Sequence, residues 1–392
     1  MKRSVTILYD RIEDDAFDAA KTAGEDTTEL VPIHVMLGEA LASRGYKIAK
    51  IAATRDVKKL FHDLSSDKSD VVFNVCDGLE GDMKAAANVV SLLELLGRPF
   101  TGSGSCAMRL AGDKTIAKQI FLANGIMTPR YAVIARGELR WADHDIDFPL
   151  FVKPIDEDAS VGITERSVVR DVRELLDRVS AVHEEFRTSA LVEEFIAGRE
   201  IYASIIGNER AEVLPFLEWP MKDADSIGSY DAKWKEDHEH YQKRADVFPT
   251  DLPPALVERI RREAIIAYRA LKLTDYARVD IRLSTDGTPY FLEANPNPFF
   301  DPTAEIAMAA NAVGLDYGAL AERVIEYALE RRPAVEVRSP LVGVAAGALS
   351  APGRAEPTPR SRRQKQRRRR LGAKTEPVKN GNGRGGKKNK AA

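Results

Sequence analysis

Arg278-Val-Asp280 and Glu293-Ala-Asn295 flank a short turn, and no other segment limits the possible fold as tightly. The stretch reads RVDIRL, then STDGTP, then YFLEANPNP. Apolar and polar residues alternate on both arms and Asp286-Gly287 lies between them, which predicts a β-hairpin. With Asp286-Gly287 as a two-residue turn, Thr285 faces Thr288. Counting outward sets Asp280 opposite Glu293 and Arg278 opposite Asn295. Residues two apart on a strand share a face, so all four project to one side. A three-residue loop would shift the register by one and break this pairing.

Two carboxylates about 4 Å apart repel by roughly 4 kcal/mol at an effective dielectric near 20. Either one of them holds a proton or a cation sits between them. Hard oxygen ligands of this kind suit magnesium shared with substrate phosphates. The alternative is a charged hairpin face screened by Arg278 and Arg282.

The rest of the chain alternates strand and helix. Residues 4–8 read as a strand, 34–46 as a helix stopped by Gly45, 47–53 and 70–78 as strands, and 83–97 as a helix closed by Gly97. This order predicts an α/β layer with a mostly parallel sheet, ending near residue 105. Helices are expected over 113–124, 171–186 and 255–273, strands over 148–155, 190–196 and 199–208, and residues 311–332 close the folded part. Residues 220–250 are polar and irregular, and a loop of that length is functional or disordered.

Charge is unevenly spread. Residues 354–392 carry 15 Lys+Arg against 2 Asp+Glu, whereas the remainder carries 43 against 58. The end segment has too few bulky apolar residues to offset ordering entropy, so disorder is expected there. Its arginine run suits nucleic acid or another polyanion, but it lacks interleaved aromatics for base stacking. Two cysteines, Cys76 and Cys106, make no disulfide framework. The N-terminal apolar stretch is too short for a signal peptide, and LVGVAAGAL (341–349) is too short to span a bilayer. A cytoplasmic address is expected.

Several segments before the hairpin look suited to phosphates. Lys114 sits near a helix start, where backbone N–H groups favour an anion. Lys153 lies in an apolar strand, where a lysine needs a partner and a phosphate would serve. The small-residue loop that follows, with Ser160, could fold over phosphates. Phe195 and Ile196 could line a slot for a planar base, after Glu193 and Glu194, and Glu200 could accept ribose hydroxyls. Each of these residues taken alone also fits ordinary surface charge or strand packing.

Their order is more specific. GDKTIAKQIFLANGIMTP (112–129), FPLFVKP (148–154), LVEEFIAGRE (191–200), DYARVDIRL (275–283) and FLEANPNP (291–298) follow one another as in the ATP-grasp superfamily. Within it, residues 70–330 resemble the D-alanine–D-alanine ligase family. The resemblance implies an N-terminal α/β domain (1–105), central (106–186) and C-terminal (187–333) α+β grasp subdomains, and a disordered basic tail (334–392). It implies ATP and two magnesium ions, with manganese as a substitute, and small carboxylate and amine substrates. Lys114, Lys153 and Ser160 would face ATP phosphates. The segment Glu193, Glu194, Ile196 would read adenine, and Glu200 would hold ribose. Lys233, in a stretch resembling the family's mobile lid, would reach the γ-phosphate. Asp280, Glu293 and Asn295 would hold the metal, and Arg278 would steady the transferring phosphate and the tetrahedral intermediate. Family members are often homodimers.

The expected activity is amide formation through an acyl phosphate. A true D-alanine–D-alanine ligase and a non-catalytic nucleotide-binding protein are the alternatives. Departures gather on the amino-acid side. Tyr9-Asp10 replaces a Gly-Gly-x-Ser turn, Asp77-Gly78 a His-Gly pair, Ala304 a serine-type residue for the second substrate's carboxylate, and Phe299 a glycine. With Phe300 next to it, a larger or less polar acceptor is expected.

Overall fold

The computed structural model describes residues 3–23, 31–141, 145–157, 160–221, 226–228 and 247–331, all within one unit, Met1–Glu336. The first layer comprises β1 (Ser4–Asp10), α1 (Ile12–Ala23), α2 (Ile33–Ser43), β2 (Lys47–Ala53), α3 (Val57–Ser66), β3 (Val71–Asn74) and α4 (Ala86–Leu95), the last entered through a 3₁₀ turn at Met83–Ala85. The strands pair in parallel in the order β2-β1-β3. Helices cover both faces of such a sheet, so its inner strands read as unbroken apolar runs. Val5, Ile7, Val71 and Phe73 pack with α2, while Leu8 and Val72 pack with α3 and α4. Gly45 (φ 85°) and Gly97 (φ 62°) end α2 and α4 in the left-handed conformation that a helix stop requires. The sequence reading misses α1 and α3. The first turn of α1 is acidic, and α3 buries only Leu60 and Leu64, so neither shows a full apolar stripe.

The second layer begins with α5 (Ser105–Gly112) and α6 (Lys114–Ala123). It continues through β4 (Tyr131–Ile134), β5 (Leu150–Pro154), β6 (Val168–Val169), α7 (Val172–Glu185) and β7 (Ala190–Glu194). Its antiparallel sheet has the order β4-β7-β5-β6 and packs against Leu175, Val179 and Val182 of α7. Because β7 lies between β4 and β5, this sheet takes residues from beyond the expected subdomain boundary at 186.

The third layer holds β8 (Gly198–Ile206), β9 (Glu212–Val213), β10 (Leu217–Trp219), α8 (Pro254–Ala270), β11 (Tyr276–Ser284), β12 (Pro289–Asn295), α9 (Glu305–Asn311) and α10 (Tyr317–Glu330). Its sheet runs β10-β8-β11-β12, with β9 on β8. Odd-numbered residues such as Ile201, Ala203, Val279 and Ile281 pack with α8. Even-numbered Tyr202, Ile206 and Tyr276 turn the other way, into the core that also holds Val5 and Phe73. A turn at Gly314 (φ 83°) separates α9 from α10.

The hairpin corrects one expectation and keeps its consequence. The loop has three residues, 285–287, because Ser284 N–H donates to Thr288 O (3.0 Å) and Leu283 pairs with Pro289. Gly287 (φ 84°) holds the left-handed position such loops need. The register is therefore one residue away from the predicted one near the turn. A bulge at Leu292 then adds one residue to β12, and beyond it Asp280 faces Glu293 and Arg278 faces Asn295.

Gly198 (φ 148°) opens β8 where a Cβ would collide with the Leu283 carbonyl. Gly198→Ala is expected to destabilise the protein by about 2 kcal/mol or more, read as a lower midpoint of thermal unfolding. An unchanged midpoint would show that β8 and β11 can separate at this point without cost.

Candidate active site

The shared face of β11 and β12 lies beneath a cleft between the two antiparallel sheets. The cleft is open to solvent at its mouth, and the space within it, open solvent included, comes to about 690 Å³. Phe151, Ile163, Phe195, Ile196 and Leu292 supply apolar walls, and Lys153, Ser160, Glu200, Asp280 and Glu293 supply polar ones.

Asp280 is buried, and Arg278 grips it with two hydrogen bonds, from Nε (2.7 Å) and Nη2 (2.9 Å). Asn295 Nδ2 donates to the same carboxylate at 3.3 Å. The third Arg278 nitrogen, Nη1, donates to Glu305 Oε2 at 2.9 Å. Burial alone would make the guanidinium easier to deprotonate, but Asp280 and Glu305 override it and fix the positive charge. Glu293 Oε2 lies 3.5 Å from Lys114 Nζ. Lys114 is the first residue of α6, after the Asp113 cap, and its ammonium also donates to Glu157 O at 2.8 Å.

Lys153 is buried as expected, but in this structure its partner is a carboxylate: Nζ lies 2.9 Å from Glu193 Oε2. The other Glu193 oxygen lies 2.5 Å from Lys118 Nζ, which also donates to Thr128 Oγ1 at 2.8 Å. Burial pushes the Glu193 carboxyl up, yet the two ammonium groups outweigh it and hold the acid ionised. For Lys118 burial wins over Glu193, and its pKa falls below that of an ordinary lysine. Glu193 therefore forms the floor of the cleft and orients Lys153, and its own charge is spent there. The sequence reading missed Lys118. The signal was present, since Lys118 lies one helical turn from both Lys114 and the fully buried Phe121.

Ser160 takes a left-handed conformation (φ 61°) at the loop's turn and lines the cleft. Glu194 N–H donates to Arg130 O (2.8 Å) and Phe195 N–H to Pro149 O (3.2 Å). The Ile196 carbonyl accepts from Arg282 Nε at 2.9 Å, and among the described residues the Ile196 N–H donates to no backbone carbonyl. Glu200 accepts from Tyr202 OH at 2.8 Å and lies 3.6 Å from Arg282. Lys233 and the basic tail lie outside the described residues.

Around the cleft each acid has a matching base. Lys114, Lys118, Lys153, Arg278 and Arg282 stand against Glu193, Glu200, Asp280, Glu293 and Glu305, while Arg130 pairs with Glu194. No group of three His, Cys, Asp or Glu side chains able to hold a metal occurs among the described residues. The donor set at the hairpin is two carboxylates and an amide. That set fits a hard cation taking most of its ligands from a bound phosphate. The bidentate guanidinium still leaves lone pairs on Asp280, since a carboxylate offers about four acceptor sites.

On the side where the resemblance places the amino acids, Phe300 corrects an expectation. It is 2% exposed and packs on Phe73, Tyr276 and Tyr317, so it belongs to the core and not to the acceptor pocket. Phe299 remains exposed. Asp10 accepts from the N–H groups of Glu80 and Gly81 and so shapes the loop after Asp77. Burial, then Glu13 and Asp10, push the Asp77 carboxyl up to about 7. Glu305 was also missed, because nothing in the sequence pairs it with Arg278.

The family model described as "D-ala D-ala ligase C-terminus" matches residues 120–326. The D-alanine–D-alanine ligase of Bordetella petrii is 33% identical over 281 residues, covering 71% of this chain and 80% of its own. The uncharacterized protein y4sG of Sinorhizobium fredii is 32% identical over 269 residues, covering 67% and 76%. The crystal structure of Bacillus anthracis D-alanine–D-alanine ligase complexed with ATP superposes with a TM-score of 0.63 at 24% identity, over 84% of this chain and 99% of that one. At that identity the superposition speaks for the fold alone.

A group whose folded pKa is raised from 3.8 to about 7 makes the folded state bind more protons than the unfolded state between those values. Asp77 therefore lowers stability as pH rises through that window. Relative to wild type, Asp77→Asn is expected to gain stability between pH 4 and 8, followed by denaturant unfolding at several pH values. A constant difference across that range would show that Asp77 titrates normally.

Proposed function

The chain belongs to the D-alanine–D-alanine ligase family, and from that premise we propose how its cleft performs the chemistry of an ATP-dependent carboxylate–amine ligase. The protein has the ATP-grasp fold, and ATP is its co-substrate. Adenine would enter the apolar slot of Phe151, Phe195, Ile196 and Leu292, with the Ile196 N–H reading its edge. Glu200 would hold the ribose. Lys153, steadied by Glu193, and Lys114 would take phosphate oxygens, under the loop of Ser160 and under Lys233.

The charge balance of the cleft is the observation that carries this reading. The described residues of the cleft hold no spare positive charge for a triphosphate, so the nucleotide would bring divalent cations. Two such ions would offset the four negative charges of ATP. Asp280, Glu293 and Asn295 would hold magnesium, which would neutralise phosphate charge.

The reaction then follows from positioning. A substrate carboxylate oxygen bonds to the γ-phosphorus as the bond to ADP breaks, giving an acyl phosphate. An amine nitrogen bonds to the acyl carbon, inorganic phosphate leaves, and one proton is released. Arg278, fixed in its charged state, would stabilise the oxygen of the tetrahedral adduct. The basic tail would take no part in this chemistry.

Two measurements test the reading. Glu293→Gln is expected to cut magnesium-dependent ADP release by about 100-fold or more with the unfolding midpoint retained, and full activity would refute the metal role. Removal of residues 354–392 is expected to leave ADP release as it is, and a large fall would place the tail in the reaction.

A further inference from the structure

The acceptor's identity turns on what Arg278 already holds. Two of its nitrogens are committed to Asp280, and the third donates to Glu305 Oε2 at 2.9 Å. Both partners of this last ion pair are largely shielded, with side chains 16% and 14% exposed. Glu305 opens α9, where the helix N-terminus favours its negative charge. The preceding residue, Ala304, is 9% exposed and has no hydroxyl to offer. An incoming carboxylate would find the outer edge of the guanidinium taken by a carboxylate of the protein itself. It would have to sit beside that like charge, with no side-chain donor from position 304.

The surroundings point the same way. Asp77 acts electrostatically on Tyr276, which precedes Arg278 on the same face of β11. Glu13 and Asp10 lie close enough to Asp77 to act on it in turn. Asp77 thus adds an acid that acts on the strand carrying Arg278.

We propose that the amine acceptor of this ligase has no free carboxylate beside its amino group, its remainder being neutral or positive, and that Glu305 is the side chain that decides this. Glu305 supplies from within the protein the negative partner that a carboxylate-bearing acceptor would otherwise bring. The inference deepens the ligase reading and rests on it.

D-alanine and D-alaninamide differ at the carboxylate, so they serve as probes. Each is titrated calorimetrically into the full chain holding magnesium and a non-hydrolysable ATP analogue. For wild type, the dissociation constant of D-alanine should exceed that of D-alaninamide at least tenfold. Glu305→Gln keeps the shape and removes the charge, so it should shrink that ratio tenfold or more. Adding Ala304→Ser to it should shrink the ratio further. A wild-type ratio at or below one, a ratio unmoved by Glu305→Gln, or no measurable D-alaninamide binding overturns the proposal. Should Glu305→Gln fail to unfold cooperatively, the wild-type ratio alone decides. Failure of the wild type to take up the magnesium–nucleotide complex would sink the ligase reading itself, whereas uptake with the wrong ratio sinks only the acceptor class.

Discussion

Asp280 and Glu293 face each other across one pair of antiparallel strands, and the charges around them are arranged to make that tolerable. Like charges directly opposite on neighbouring strands destabilise a sheet. Arg278 answers Asp280 with two hydrogen bonds, and Lys114 reaches Glu293 from the start of α6. Both compensating groups come from positions that the fold itself fixes. Arg278 is two residues along the same strand, so its direction is set by the pleat. Lys114 is held by the Asp113 cap that starts its helix. Beneath them, Glu193 joins Lys118 to Lys153 in a buried triad that sets the position of the lysine lining the cleft. A buried ion pair contributes little net stability, because desolvation offsets attraction. What such a network can supply is a fixed arrangement of charge, and a site that binds a triphosphate needs that.

The hairpin shows how a correct pairing can rest on an incorrect turn. The dipeptide Asp286-Gly287 signals a two-residue turn, but the chain closes over three residues because Ser284 bonds to Thr288 through both backbone and side chain. The Leu292 bulge absorbs the displaced residue, and the face carrying the charges is restored. A bulge has no reliable sequence signature, since Leu292 would sit as well in a regular strand. It also places Leu292 on the wall of the cleft.

The two halves of the cleft differ in how they could be read. On the side proposed for the nucleotide, Lys114, Lys153, Glu200, Asp280, Glu293 and Asn295 stand in short motifs whose order was legible, and the fold brings them to one cleft and its edge. On the side proposed for the acceptor the decisive contacts join residues far apart in the chain. Phe300 looked like bulk in a pocket and is core, because Phe73 and Tyr276 close around it. Glu305 looked like a helix-start acid and is the partner of an arginine 27 positions earlier.

By itself the sequence determined what local periodicity and local chemistry control. It set the parallel first layer, the glycine stops of α2 and α4, and the alternation within β11 and β12, since these act over a few residues. Tertiary structure alone decided where charges end. That Lys153 meets Glu193, that Lys118 is buried, and that Glu305 holds one edge of Arg278 depend on distances between separate elements. Coulomb energy follows distance and burial, and neither is written in the spacing of residues along the chain.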